Sequence, residues 1–183
     1  MLLDHHQLYS SELGPQVQTL LTLKDWNATA KKIATVLNSS ISEIENLLHI
    51  LKNLDLATVQ NGIWTAKTPE FHTKDSLGDL TLQTFHKKSL LTAIRHLDSP
   101  PKNRRYFAVH LTLDDQQMEE LATEMKKTCF EYLSKFGTDS SKNKRLYQIN
   151  LNLIPVSPQL STEKPKSVPV GGASSLKQGE KHD

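Results

Sequence analysis

Eight histidines, twenty acids and one cysteine are the groups with which this chain could do chemistry. Their spacing argues against each reaction they suggest. His5 and His6 stand beside Asp4, but neighbours on a helix diverge by about 100°, so their rings do not converge on one ion, and no His-Glu-x-x-His spacing occurs. His86 and His96 belong to one predicted helix without a partnering pair, and His110 alternates away from an apolar strand face. Cys129 falls on the predicted buried stripe of its helix, where a thiol is inert, and a single cysteine supplies neither an internal disulfide nor a cysteine zinc cluster. Asp114, Asp115, Glu119 and Glu120 open a helix, where the helix dipole favours carboxylates without catalysis. No Gly-x-Gly-x-x-Gly, phosphate-binding loop or Gly-x-Ser-x-Gly turn is present. The expectation is a protein that is not an enzyme and needs no metal or cofactor.

Binding chemistry is better represented. Lys31, Lys32, Ser42, Glu45, Asn46, Asn61 and Lys67 are candidate contacts to nucleic acid or a partner. A DNA-reading helix offers Arg, Lys, Asn or Gln to base edges, and cations to the phosphates that dominate affinity. Here the helix instead begins Ser-Ile-Ser-Glu-Ile-Glu-Asn, and residues 27–67 hold four lysines against three acids. DNA contact is therefore weakly supported, and contact with a protein competes with it. A second basic group, Lys102, Arg104 and Arg105 with Lys142, Lys144 and Arg145, precedes two alternating segments. If those segments pair in parallel, both clusters lie at one end and form a rim for an anionic partner.

The elements that must position these residues follow from periodicity. Leu13, Val17, Leu20 and Leu21 give one helix over 7–23, and Asn27 is placed to cap "ATAKKIATVL". Ser40 and Glu43 have capping-box spacing before a stripe of Ile44, Leu47, Leu48, Leu51 and Leu54. Asn61-Gly62 between "LATV" and "IWTA" is a hairpin signal, because both turn residues accept positive φ; Trp64 is read as packing residue rather than ligand platform. Helix, turn, helix and hairpin is the order of a winged helix-turn-helix.

A long helix over 77–97 carries Leu80, Phe85, Leu91, Ile94 and Leu97. "RRYFAVHLTL", a helix with Met118, Leu121, Met125, Cys129, Tyr132 and Phe136 inward, and "RLYQINLNLIPVS" then read as strand, helix, strand. From Ser157 the composition turns to proline, glycine, serine and lysine without aromatics, which predicts a disordered tail.

On "LYSSELGPQVQTLLTL", "ISEIENLLHILKNLDLATVQNGIWTAK", "LQTFHKKSLLTAI" and "RLYQINLNLIPVS", the chain resembles the C-terminal domain of unknown function of a paralogous family of regulator-like proteins, expanded in predatory and fibre-degrading bacteria, over about residues 5–157. The tryptophan usual after the opening tyrosine-serine segment is missing. The resemblance implies a bacterial, winged-helix-containing regulator and brings no ligand or catalytic residues with it.

The expected architecture is α+β. An N-terminal helix plus winged helix-turn-helix spans 1–75, a long helix plus β-α-β unit spans 76–156, and a tail spans 157–183. The expected function is non-enzymatic regulation in transcriptional control; the alternatives are a protein-interaction and dimerisation module without DNA binding, or a small-ligand sensor. Two strands have exposed edges, so a homodimer or a partner protein is expected to complete the sheet. With a formal charge of +2 and no apolar run long enough for a membrane, the location is expected to be cytoplasmic.

Overall fold

The computed structural model describes residues 2–68, 79–137 and 140–160, so the predicted tail lies outside the described residues from 161 onward. Residues 1–152 form one compact unit and 153–183 a second stretch. Among the described residues the chain is α+β, with six α-helices and one two-stranded antiparallel sheet.

The predicted helix over 7–23 is two helices, α1 (Leu2–Ser10) and α2 (Gly14–Leu21). Pro15 has no N–H to continue the ladder, and Ser11 Oγ accepts the Leu13 N–H at 3.2 Å, which turns the chain between them. The break lets Leu8 of α1 and Val17, Leu20 and Leu21 of α2 enter the same core. Gly14 sits where a Cβ would lie 2.3 Å from the Leu8 carbonyl oxygen, so only glycine permits this approach.

α3 (Ala30–Leu37) is capped by Thr29, whose side chain accepts the Lys32 N–H at 3.3 Å, and not by Asn27. Asn27 instead has φ +48, and Ala28 forms an antiparallel bridge with Trp64, keeping the chain extended up to the cap. Asn38, at φ +50, ends α3 in the left-handed region. Ser40 then caps α4 (Ile41–Asn53) by accepting the Glu43 N–H at 3.1 Å, while the Glu43 carboxylate accepts from Ser39 Oγ at 2.6 Å. The expected box is thus half formed, with its return arm reaching the hydroxyl one residue earlier. α4 buries Ile44, Leu47, Leu48 and Leu51 against Ile33 and Ala34 of α3 and the residues of α1 and α2. Each fully buried aliphatic side chain contributes roughly 1.5–3 kcal/mol.

β1 (Ala57–Gln60) and β2 (Ile63–Ala66) pair in the register Ala57 to Ala66 and Gln60 to Ile63. Asn61 at φ +51 and Gly62 at φ +78 make the two-residue turn that the sequence predicts. Ala57 closes the core from below, and Trp64 packs against it half-buried.

α5 (Asp79–Arg95) falls within the predicted helix over 77–97, whose first two residues lie outside the described residues. Leu80, Leu91, Ile94 and Leu97 are exposed. The helix meets α1 and the turn after it through polar groups: Thr81 Oγ1 lies 2.8 Å from His6 Nδ1, Lys88 donates to the Ser10 carbonyl, and Thr92 and Arg95 both donate to Glu12 in the turn. α1 presents hydrogen-bonding groups on that side, and the hydroxyl and cationic stripe of α5 satisfies them where its leucines could not.

α6 (Asp115–Phe136) begins with a complete capping box between Asp114 and Gln117. It buries no residue fully; of the six expected inward, Met118, Cys129, Tyr132 and Phe136 are exposed, and Leu121 and Met125 are half-buried. The flanking segments 104–113 and 145–152 form neither helix nor strand ladder, so among the described residues the expected β-α-β unit is a helix between two irregular segments without a sheet. Individual side chains reach α5 from each: Tyr106 Oη donates to the Ala93 carbonyl at 2.5 Å, Gln148 Nε2 to the Ser89 carbonyl at 2.9 Å, and Asn150 Nδ2 to the same carbonyl at 3.4 Å. Phe107, Val109, Tyr147 and Ile149, their odd-numbered neighbours, are exposed.

Candidate nucleic-acid or partner interface

The buried stripe of α4 fixes what its other side offers. Ser42, Glu45 and Asn46 are exposed together at three- and four-residue spacing, opposite Ile44, Leu47 and Leu48. His49 extends the same face by one turn and meets Trp64 of β2 edge to face, with ring centroids 6.0 Å apart. It was not among the sequence candidates, although its spacing from Ser42 and Glu45 is the signal that would have found it.

The candidate cations do not join this face. Lys32 donates from Nζ to the Trp26 carbonyl at 2.9 Å, and Lys67 forms an ion pair with Asp55. Lys31 is exposed on α3, with no hydrogen bond or ion pair from its ammonium among the described residues. Asn61 is exposed at the hairpin tip, where its positive φ serves the turn. The surface therefore carries a hydroxyl, a carboxylate, an amide and an imidazole, with exposed Lys52 one turn beyond His49, which is little positive charge to meet phosphate.

The two basic clusters do come together. Arg145 Nη1 donates to Asn103 Oδ1 at 3.4 Å, joining the 142–145 turn to the 101–103 turn without a parallel ladder between the segments that follow. Arg104 is half-buried, donates from Nε to the Ser99 carbonyl at 2.7 Å and lies over the Tyr106 ring. Arg105 donates to the Arg104 and Pro101 carbonyls. Lys102, Lys142, Lys144 and Arg145 remain exposed. Two guanidinium groups are thus spent on local backbone, which lowers the donor supply of the rim.

Asp25 holds one side of this turn: it accepts from the Ser141 N–H at 2.7 Å and from Ser140 Oγ at 3.0 Å. Its carboxyl is held below the ordinary aspartate range, chiefly by the Ser141 backbone N–H. Burial pushes the Tyr9 phenol above its usual value. An open depression lined by Glu12, Ser39, Ser40, Glu43 and Lys88 lies beside the start of α4. No group of three or more His, Cys, Asp or Glu side chains able to hold a metal gathers among the described residues, and none of their helices is long and apolar enough to cross a membrane.

Helices α1 to α4 and the hairpin share one core, and together they define an α+β domain. The chain belongs to the family described as Domain of unknown function (DUF4423), whose model matches residues 3–156. No curated protein and no solved structure matches it.

Proposed function

We propose that this chain is a non-enzymatic regulatory protein in transcriptional control, acting through a winged helix-turn-helix formed by α3, α4 and the β1–β2 hairpin. The observation that carries this reading is the bond from the Trp64 N–H to the Ala28 carbonyl at 2.8 Å, which ties the hairpin to the chain entering α3. That bridge adds a short third strand position before the helix pair, which is where a winged helix needs one. The α4 face of Ser42, Glu45, Asn46 and His49 is then the contact surface. With Glu45 within it and a lysine, Lys52, only at its far end, it gives DNA contact that is weak and largely insensitive to sequence. Titrating randomised and fixed-sequence duplexes at two salt concentrations tests this; tight, selective binding at physiological salt would overturn the weak-contact part of the reading.

The commitment of Lys32 and Lys67 to contacts within the domain favours a second reading, in which the same face meets a protein. Glu45→Lys separates the two. Under the DNA reading it strengthens duplex binding, and under the protein reading it weakens capture of the partner from native extract while duplex binding stays negligible.

A further inference from the structure

α6 is a 22-residue helix with a full N-terminal capping box and no buried residue. A helix that long, about 33 Å, is held in proteins mainly by packing of an apolar face. Leu121, Phe130 and Leu133 lie on other sides of the helix, but six of its apolar positions fall in one line. Met118, Ala122, Met125, Cys129, Tyr132 and Phe136 follow one another at alternating steps of four and three, the 3.5-residue repeat of a helix that pairs with another helix along its length.

We propose that the partner is a second copy of this chain, with the two α6 helices packed antiparallel about a two-fold axis beside Lys127. Three observations select that occupant and orientation. First, the repeat is self-complementary when reversed: Met118 faces Phe136 of the second copy, Ala122 faces Tyr132, and Met125 faces Cys129, so the smallest side chain meets a large aromatic in its layer. Second, the charges are divided along the helix. Asp115, Glu119, Glu120 and Glu124 occupy the first half without a base, while Lys126, Lys127 and Lys135 occupy the second with only Glu131. Antiparallel packing sets the acidic half against the basic half; parallel packing stacks like on like.

Third, exposed apolar residues lie on the helix and on the chain that leads into and out of it. Phe136 is 66 % exposed, Phe107 90 % and Tyr147 69 %. Phe136 and Tyr147 share one open depression with Asn143, Lys144 and Arg145, where a second copy can set its acidic first half against the two cations. A membrane surface or an unrelated protein would have no reason to match the reversed spacing. The inference is independent of what α4 contacts.

Cys129, the single cysteine of the chain, makes the register measurable. In the antiparallel arrangement the two Cys129 residues are offset by about 6 Å along the axis, in addition to the spacing between helices, which places them beyond disulfide reach. Position 125 of one copy shares a layer with Cys129 of the other. The full chain is therefore mixed under mild oxidation with the double variant Met125→Cys, Cys129→Ser, and covalent dimer is read on a non-reducing gel. The expected result is a disulfide-linked dimer in the mixture and almost none from the unaltered chain alone, together with a doubled mass of the unaltered chain in sedimentation at micromolar concentration. A monomer in sedimentation, absence of covalent dimer in the mixture, or ready cross-linking of the unaltered chain with itself would each overturn the proposal, the last because it means a parallel seam.

Discussion

The His49 imidazole meets the Trp64 indole edge to face at 86°, linking the exposed side of α4 to β2. The same indole packs on the core, and the Trp64 backbone N–H holds Ala28. One residue therefore joins the solvent face of the helix, the hairpin and the chain entering α3. Trp64→Ala removes a half-buried aromatic and is expected to cost about 1–3 kcal/mol, less than the 3–5 typical of fully buried rings. Urea unfolding monitored by far-ultraviolet circular dichroism gives the loss. Trp64→Phe should recover most of it, since the hydrogen bond to Ala28 is made by the backbone.

At the hairpin tip, Gly62 has φ +78 and open space around the position a Cβ would take. Any cost of substitution there is backbone strain and not a clash. Gly62→Val is expected to destabilise by about 1–2 kcal/mol, whereas Gly62→Asn, which tolerates the left-handed region, should cost much less. Comparing the two midpoints separates strain from loss of side-chain contacts.

Gly14 gives the opposite case. A Cβ there would lie 2.3 Å from the Leu8 carbonyl oxygen and 2.9 Å from Leu8 Cδ1, and Leu8 is fully buried. Gly14→Ala is expected to push α1 away from α2 and destabilise by about 1–3 kcal/mol, despite the better helix propensity of alanine. A stabilised Gly14→Ala variant in urea unfolding would mean that α1 and α2 do not make this approach in solution.

Asp25 should make the 140–145 turn sensitive to acid. Its folded-state pKa is depressed, first by the Ser141 N–H, so the contact contributes above the ordinary aspartate pKa of about 4 and is lost as pH falls through the lower folded value. Amide exchange at Ser141 is expected to accelerate below that range. In Asp25→Asn it should already be fast at neutral pH and show no such step.

Periodicity and turn chemistry were enough to place α3, α4 and the hairpin, because those signals are local. The α4 stripe of Ile44, Leu47, Leu48 and Leu51 and the Asn61-Gly62 turn stand where the sequence puts them. Capping was legible only in part. Asn27 and Thr29 both have side chains able to cap α3, and the Ala28 bridge to Trp64, 36 residues away, decided for Thr29. The face of α4 that carries Ser42, Glu45 and Asn46 was equally predictable, but the loss of Lys32 to Trp26 and of Lys67 to Asp55 was not, since each depends on where a flexible cation finds an acceptor.

Alternation in "RRYFAVHLTL" and "RLYQINLNLI" specifies which residues share a side of an extended segment and cannot specify what pairs with its backbone. That choice belongs to tertiary structure. Ala93 and Ser89 of α5 accept from Tyr106 and Gln148, no ladder forms between the two segments, and Phe107, Val109, Tyr147 and Ile149 are left exposed. The stripe of α6 was likewise fixed by sequence as apolar and by tertiary structure as at most half-buried: helical spacing puts Met118, Met125 and Phe136 on one face, but full burial requires more surface than the described residues of this chain bring to it, which half-cover Met125 and leave Met118 and Phe136 exposed.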